Sequence, residues 1–85
     1  MEYTVIEPMP WAPGCAIIFG GSSYDRTVPA VAFKWQTSRG WSRPAGELDK
    51  DAFLLAMRVA VRESLITPLE AVEAVADGMR ATGHP

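Results

Sequence analysis

Cysteine and histidine each occur once in this chain, as Cys15 and His84. A lone cysteine cannot close an intramolecular disulfide, so the fold has no covalent staple and a reducing, cytoplasmic setting is expected. A zinc centre needs about four nitrogen or sulfur ligands, which leaves no basis for a metal, and no cofactor motif is present either. Ser-His-Asp or Cys-His chemistry would depend on the penultimate residue, the least ordered part of most chains, so an enzyme is not expected. Cys15 opens an apolar strand and reads as a small core residue. Long apolar runs are also missing: the longest, Ala52 to Met57, falls far short of the ~20 residues that span a bilayer. The first ten residues hold Glu2, Glu7 and two prolines where a secretory signal would have cations and then an apolar stretch. Arginine exceeds lysine six to two, which fits a GC-rich bacterial or phage genome.

What the chain does have is segregated charge. Glu2, Glu7 and Asp25 precede residue 26 with no cation; residues 26–46 carry Arg26, Lys34, Arg39 and Arg43 with no carboxylate; seven acids against four bases follow. Phe33, Trp35 and Trp41 are interleaved with those four cations. Such a segment suits an acidic protein surface, or the phosphates and bases of a nucleic acid. Two further cations, Arg58 and Arg62, sit one helical turn apart with no carboxylate at i±3 or i±4 on their own helix. Glu70, Glu73 or Asp77 of the next helix, or Asp51, are their expected counter-charges, with an external anion or acidic partner as the alternative.

Eighty-five residues suit one domain. It divides into a β-rich part, 1–46, with a proline-rich connection, and a helical part, 47–85. Tyr3 to Ile6 predicts a short strand, and Pro8, Pro10 and Pro13 hold the following linker extended. Cys15 to Phe19, between Gly14 and Gly20-Gly21, reads as a buried strand. Ala30 to Thr37 alternates, with Val31, Phe33, Trp35 and Thr37 on one face and Ala30, Ala32, Lys34 and Gln36 on the other. The aromatic side is expected in the core and Lys34 and Gln36 in water. Ser38-Arg39-Gly40 predicts a turn with positive φ at Gly40, leading to an edge strand near Trp41 to Arg43. Gly20 to Pro29 is long enough to be a mobile binding loop; its Gly20-Gly21-Ser22-Ser23 start superficially resembles a phosphate cradle, but no helix follows to complete one.

The helices are marked more sharply. Asp49 is a good N-cap, with Leu48 and Phe53 placed as a hydrophobic staple, for a helix over about Lys50 to Leu65. Its polar residues Asp51, Arg58 and Arg62 share a narrow strip and its apolar residues fill the rest, so cover is expected on two sides: a sheet and the second helix, or a second copy. That dimer would form through helix 50–65. Thr67, Pro68 and Glu70 make a capping box with proline at the first position of a second helix, which ends near Thr82 with Gly83 as C-cap. Asp49 with Asp51, and Glu70 with Glu73, are accounted for by caps and a solvated face. The link of about two residues favours an αα-hairpin.

The expected fold is therefore α+β: a small antiparallel sheet of three or four strands followed by a C-terminal αα-hairpin packed on one face. The expected function is that of a small non-enzymatic cytoplasmic protein that binds another macromolecule, a protein in the leading reading, in an accessory or inhibitory role in a bacterium or phage. Trp11, Tyr24, Arg26, Arg39, Trp41 and Arg43 are the candidate partner-binding residues; Trp11 stands among prolines, where it either folds back over the sheet edge or projects as an anchor. The alternative is a nucleic-acid-binding module using the basic, Trp-containing segment 26–46.

Overall fold

A computed structural model describes residues 1–82. The class is α+β: an antiparallel sheet that curls, followed by two helices. The strands are β1 (Glu2–Pro8), β2 (Cys15–Gly21), β3 (Pro29–Thr37), β4 (Gly40–Trp41) and β5 (Ala45–Asp49). β1, β2 and β3 form a meander, and the second edge of β3 pairs first with β4 and then with β5. Gly40, at φ 105°, makes the tight turn after β3 as expected.

β5 was not expected as a strand. It continues the edge begun by β4, and the pairing with β3 slips between Val31 and Phe33. Gly46, at φ 64°, occupies that slip, where the extra residue of a bulge commonly requires the left-handed region. Pro44, Gly46 and the acids Glu47 and Asp49 make this stretch look like a loop; pairing along β3 overrides that local preference.

The core contradicts the expected orientation of β3. Its buried apolar residues are Ala16, Ile18, Ala30 and Ala32, which the register sets side by side as Ile18↔Ala32, with Ala16↔Lys34 and Gly20↔Ala30 on the same side. Phe33 and Trp35 point the other way and are 47% and 46% exposed. The curl accounts for the reversal, because the inner face of a curled sheet draws side chains together, and in the middle of β3 and β2 it is filled by Ala30, Ala32 and Ala16 around Ile18. Lys34 lies on that inner side, its ammonium 4.2 Å from the centre of the Tyr3 ring and donating to the Tyr3 hydroxyl at 3.2 Å. β2 is likewise buried on one face only: Phe19 is 46% exposed, and Cys15 is half-buried.

Glycine is required at the end of β2, where the backbones of β1 and of the β2–β3 connection come close. A Cβ on Gly20 would lie 2.0 Å from the Glu2 carbonyl oxygen, and one on Gly21 would lie 2.5 Å from that of Arg26. Close backbone approach therefore accounts for the glycine pair that superficially resembled a phosphate cradle.

The chain forms two compact units, Met1–Leu54 and the residues from Leu55 on. Helix α1 (Lys50–Arg62) begins in the first, with the Asp49 carboxylate accepting from the Ala52 N–H at 2.9 Å as its N-cap. In the second unit α1 ends three residues earlier than expected. Ser64 adopts φ 61°, its N–H donates to the Val61 carbonyl at 3.2 Å and that of Leu65 donates to the Ala60 carbonyl at 2.8 Å. This is a Schellman motif with serine in the position that usually holds glycine. The connection to α2 (Pro68–Ala81) is consequently longer than two residues. At the start of α2 the capping box is formed as expected: Glu70 N–H donates to Thr67 Oγ1, and Thr67 N–H to the Glu70 carboxylate. No residue of α1 or α2 is buried. Gly83, the expected C-cap, and His84 lie outside those residues.

Candidate functional site

Antiparallel pairing assembles one outward sheet face from three strands. Side chains alternate along a strand, so the pairs Cys15↔Trp35, Ile17↔Phe33 and Phe19↔Val31 share a side. Val5 joins it opposite Phe19, Glu7 opposite Ile17, and Leu48 opposite Val31. The result is a largely apolar surface holding Phe19, Phe33 and Trp35, each close to half exposed, with Glu7 on its β1 margin. At one margin a shallow hollow of about 190 Å³ is walled by Phe19, Val31, Leu48 and Phe53. Aromatic groups on a fixed strand lose little freedom on binding and contribute large contact areas, which favours them as interface anchors.

The six residues singled out from the sequence divide between the two ends of this sheet. Trp11, Arg39, Trp41 and Arg43 belong to one end. Trp11 is 77% exposed in the β1–β2 connection, which is tied to the end of β3 by the Gln36 N–H donating to the Gly14 carbonyl at 2.7 Å. Arg39 tops the β3–β4 turn, where its N–H donates to Thr37 Oγ1 at 3.2 Å. Trp41 pairs with Gln36 and so lies on the inner side, 39% exposed. Arg43 follows Ser42, whose N–H donates to the Trp35 carbonyl at 2.7 Å and whose hydroxyl accepts from the Trp35 N–H at 3.0 Å. The cationic turn is thus anchored to the Trp35 end of the aromatic face. Among the described residues, neither Arg39 nor Arg43 enters an ion pair.

Tyr24 and Arg26 lie at the other end and are engaged within the chain. The Tyr24 hydroxyl donates to Asp49, and Arg26 contacts Glu2 at 3.3 Å. Their loop is tightly wired. Ser22, which is buried, donates its hydroxyl to the Asp25 carbonyl at 2.8 Å and accepts from the Asp25 N–H at 3.0 Å. Ser23 donates through both N–H and hydroxyl to Glu47, at 2.8 and 2.7 Å. Asp25 accepts from the Thr27 hydroxyl at 2.7 Å and its N–H at 2.9 Å, and these two bonds hold its carboxyl below the ordinary 3.8. The hydrogen bond from Tyr24 does the same for Asp49, helped by the Ala52 N–H, and pushes the Tyr24 phenol above its ordinary 10.0. A loop whose hydroxyls and amides are already satisfied has few left for a ligand. These bonds tie the loop to β5 and the start of α1 through Glu47 and Asp49, with the Tyr24 side chain itself 66% exposed.

The helical cations also miss their expected partners. Arg62 pairs with Glu63 at 3.2 Å, Asp77 with Arg80, and Glu70 closes the capping box. No ion pair reaches Arg58 among the described residues.

Sequence reasoning missed the aromatic face itself, and a signal for it was present. Ala30 and Ala32 on one side of β3, with Ala16 and Gly20 on β2, mark the tight inner side of a pair of strands and leave Phe19, Phe33 and Trp35 outside. Among the described residues no group of three or more His, Cys, Asp or Glu side chains is placed to hold a metal, and no helix is long and apolar enough to cross a membrane. No protein-family model matches the chain, and neither curated proteins nor solved structures provide a match.

Proposed function

We propose that the protein is a non-enzymatic binding module whose outward sheet face docks an acidic polypeptide segment carrying a bulky apolar side chain. The observation that carries this reading is the half-exposed row of Phe19, Phe33 and Trp35, ending beside Arg39 and Arg43, which have no carboxylate partner among the described residues. An apolar surface supplies the affinity, and cations at one end orient a partner whose acids would otherwise lose hydration uncompensated. The hollow between Phe19 and Phe53 takes the apolar side chain, while Trp11 adds contact at the cationic end. Tyr24 and Arg26 lie at the other end of the sheet from Arg39 and Arg43 and already contact Asp49 and Glu2, so this reading does not call on them.

A peptide-display selection against the purified protein tests this reading. The expected winners combine Leu, Phe or Trp with flanking Asp or Glu, and lose binding to Trp35→Ser and to the double variant Arg39→Ala/Arg43→Ala. Winners that bind both variants undiminished would remove this face from consideration. The nucleic-acid reading is tested by anisotropy with labelled single-stranded DNA, duplex DNA and RNA. Binding that survives physiological salt and needs Arg39 and Arg43 would replace the peptide with a nucleic acid, the aromatic row then stacking bases.

A further inference from the structure

The hollow beside Phe19 is walled by pieces that the β2–β3 connection ties together. Phe19 and Val31 stand on β2 and β3, Leu48 on β5 and Phe53 on the first turn of α1, while Pro29 marks the point where the connection enters β3. All of them belong to the unit Met1–Leu54. Leu48 is flanked by the two carboxylates that the connection engages: Glu47 accepts from the N–H and hydroxyl of Ser23, at 2.8 and 2.7 Å, and Asp49 accepts from the Tyr24 hydroxyl. Asp49 has a second task. Its other carboxylate oxygen accepts from the Ala52 N–H at 2.9 Å and starts the helix that carries Phe53. One side chain is thus shared between the connection and the helical turn that walls the hollow. Tyr24 does not line the hollow, so what it offers is the bond to Asp49 and not contact with a ligand. A pocket whose walls are fixed beforehand reduces the ordering that binding must impose.

We infer that Tyr24 is a positioning residue for this hollow, holding Asp49, and through it Leu48 and Phe53, in the arrangement that receives a partner's apolar side chain. The inference rests on the proposed use of the hollow as that side chain's pocket and adds a residue that touches no ligand. Indole, the tryptophan side chain as a free molecule, is the probe, and the methyl resonances of Val31 and Leu48 report its entry. Saturable shifts of both are expected in the wild-type chain. Tyr24→Phe is expected to weaken indole by roughly two- to tenfold, the range of one hydrogen bond. Asp49→Ser keeps a capping oxygen for the Ala52 N–H and has no second oxygen for Tyr24, so it is expected to weaken indole to the same degree. The double variant Tyr24→Phe/Asp49→Ser should then be no weaker than either single one, because all three lack the same bond. Indole binding unchanged in Tyr24→Phe, losses that add in the double variant, or wild-type methyl resonances that do not move would each overturn the inference. It fails separately from the sheet-face reading. Peptides that bind Trp35→Ser undiminished remove that reading and leave the indole result standing, whereas indole binding indifferent to Tyr24→Phe removes the positioning role alone.

Discussion

At Gly20 a hydrogen is the largest substituent the strands permit, because a methyl group would enter the space of the Glu2 carbonyl, 2.0 Å away. Gly20→Ala is therefore expected to destabilise the chain by on the order of 3 kcal/mol, read as a lowered urea midpoint. Gly40→Ala meets nothing within 4 Å and costs only the strain of its positive φ, about 1 kcal/mol. Three titrating groups set the pH response of the β2–β3 connection. The Asp25 and Asp49 carboxyls are held below 3.8 in the folded chain, so their contribution is present above that value and lost as pH falls through their folded values. The Tyr24 phenol is pushed above 10.0, so its contribution is present below 10 and lost as pH rises through the folded value. Carboxyl and phenol chemical shifts across a pH titration should show both departures. In Tyr24→Phe the Asp49 carboxyl is expected to move back towards 3.8; an unchanged Asp49 titration would refute the coupling. Which residues alternate on β3 was readable from the sequence, but not which side is inside. Hydrophobicity assigned the aromatics to the core, whereas the space available in a curled sheet assigned it to the alanines.

Elements that carry their own termination signals were the most legible. Thr67, Pro68 and Glu70 mark the start of α2 through bonds confined to one turn, and Asp49 marks that of α1 in the same way. The end of α1 was harder to place, because Ser64 does what glycine usually does. Ser64→Gly removes the cost of a side chain in the left-handed region and is expected to stabilise the hairpin by about 0.5–1 kcal/mol, with some of the gain offset by a more flexible unfolded chain. Thr67→Ala is expected to cost about 1 kcal/mol through the lost cap. Thermal melts followed by helical circular dichroism check both, and a Ser64→Gly melt lowered rather than raised would contradict the assigned motif. β5 was illegible for the opposite reason. Nothing local favours a strand from Ala45 to Asp49, which owes its form to pairing with β3 across a bulge at Gly46.

For the molecule as a whole, the segregated charge seen in the sequence reaches the surface only in part. Arg26 is matched by Glu2, while Arg39 and Arg43 remain beside the Trp35 end of the sheet. Four apolar side chains, Ala16, Ile18, Ala30 and Ala32, are buried among the described residues. Trp35 is half exposed, and Trp35→Ser is accordingly expected to change the urea midpoint little while weakening peptide binding. The most direct measurement is the affinity of one selected acidic peptide for the wild-type chain, Trp35→Ser and Arg39→Ala/Arg43→Ala, each shown folded by circular dichroism. The proposed face predicts that each variant weakens binding by roughly tenfold or more, the arginine variant also losing most of the salt dependence. Wild-type affinity in both folded variants would contradict it and place the binding surface elsewhere on the chain.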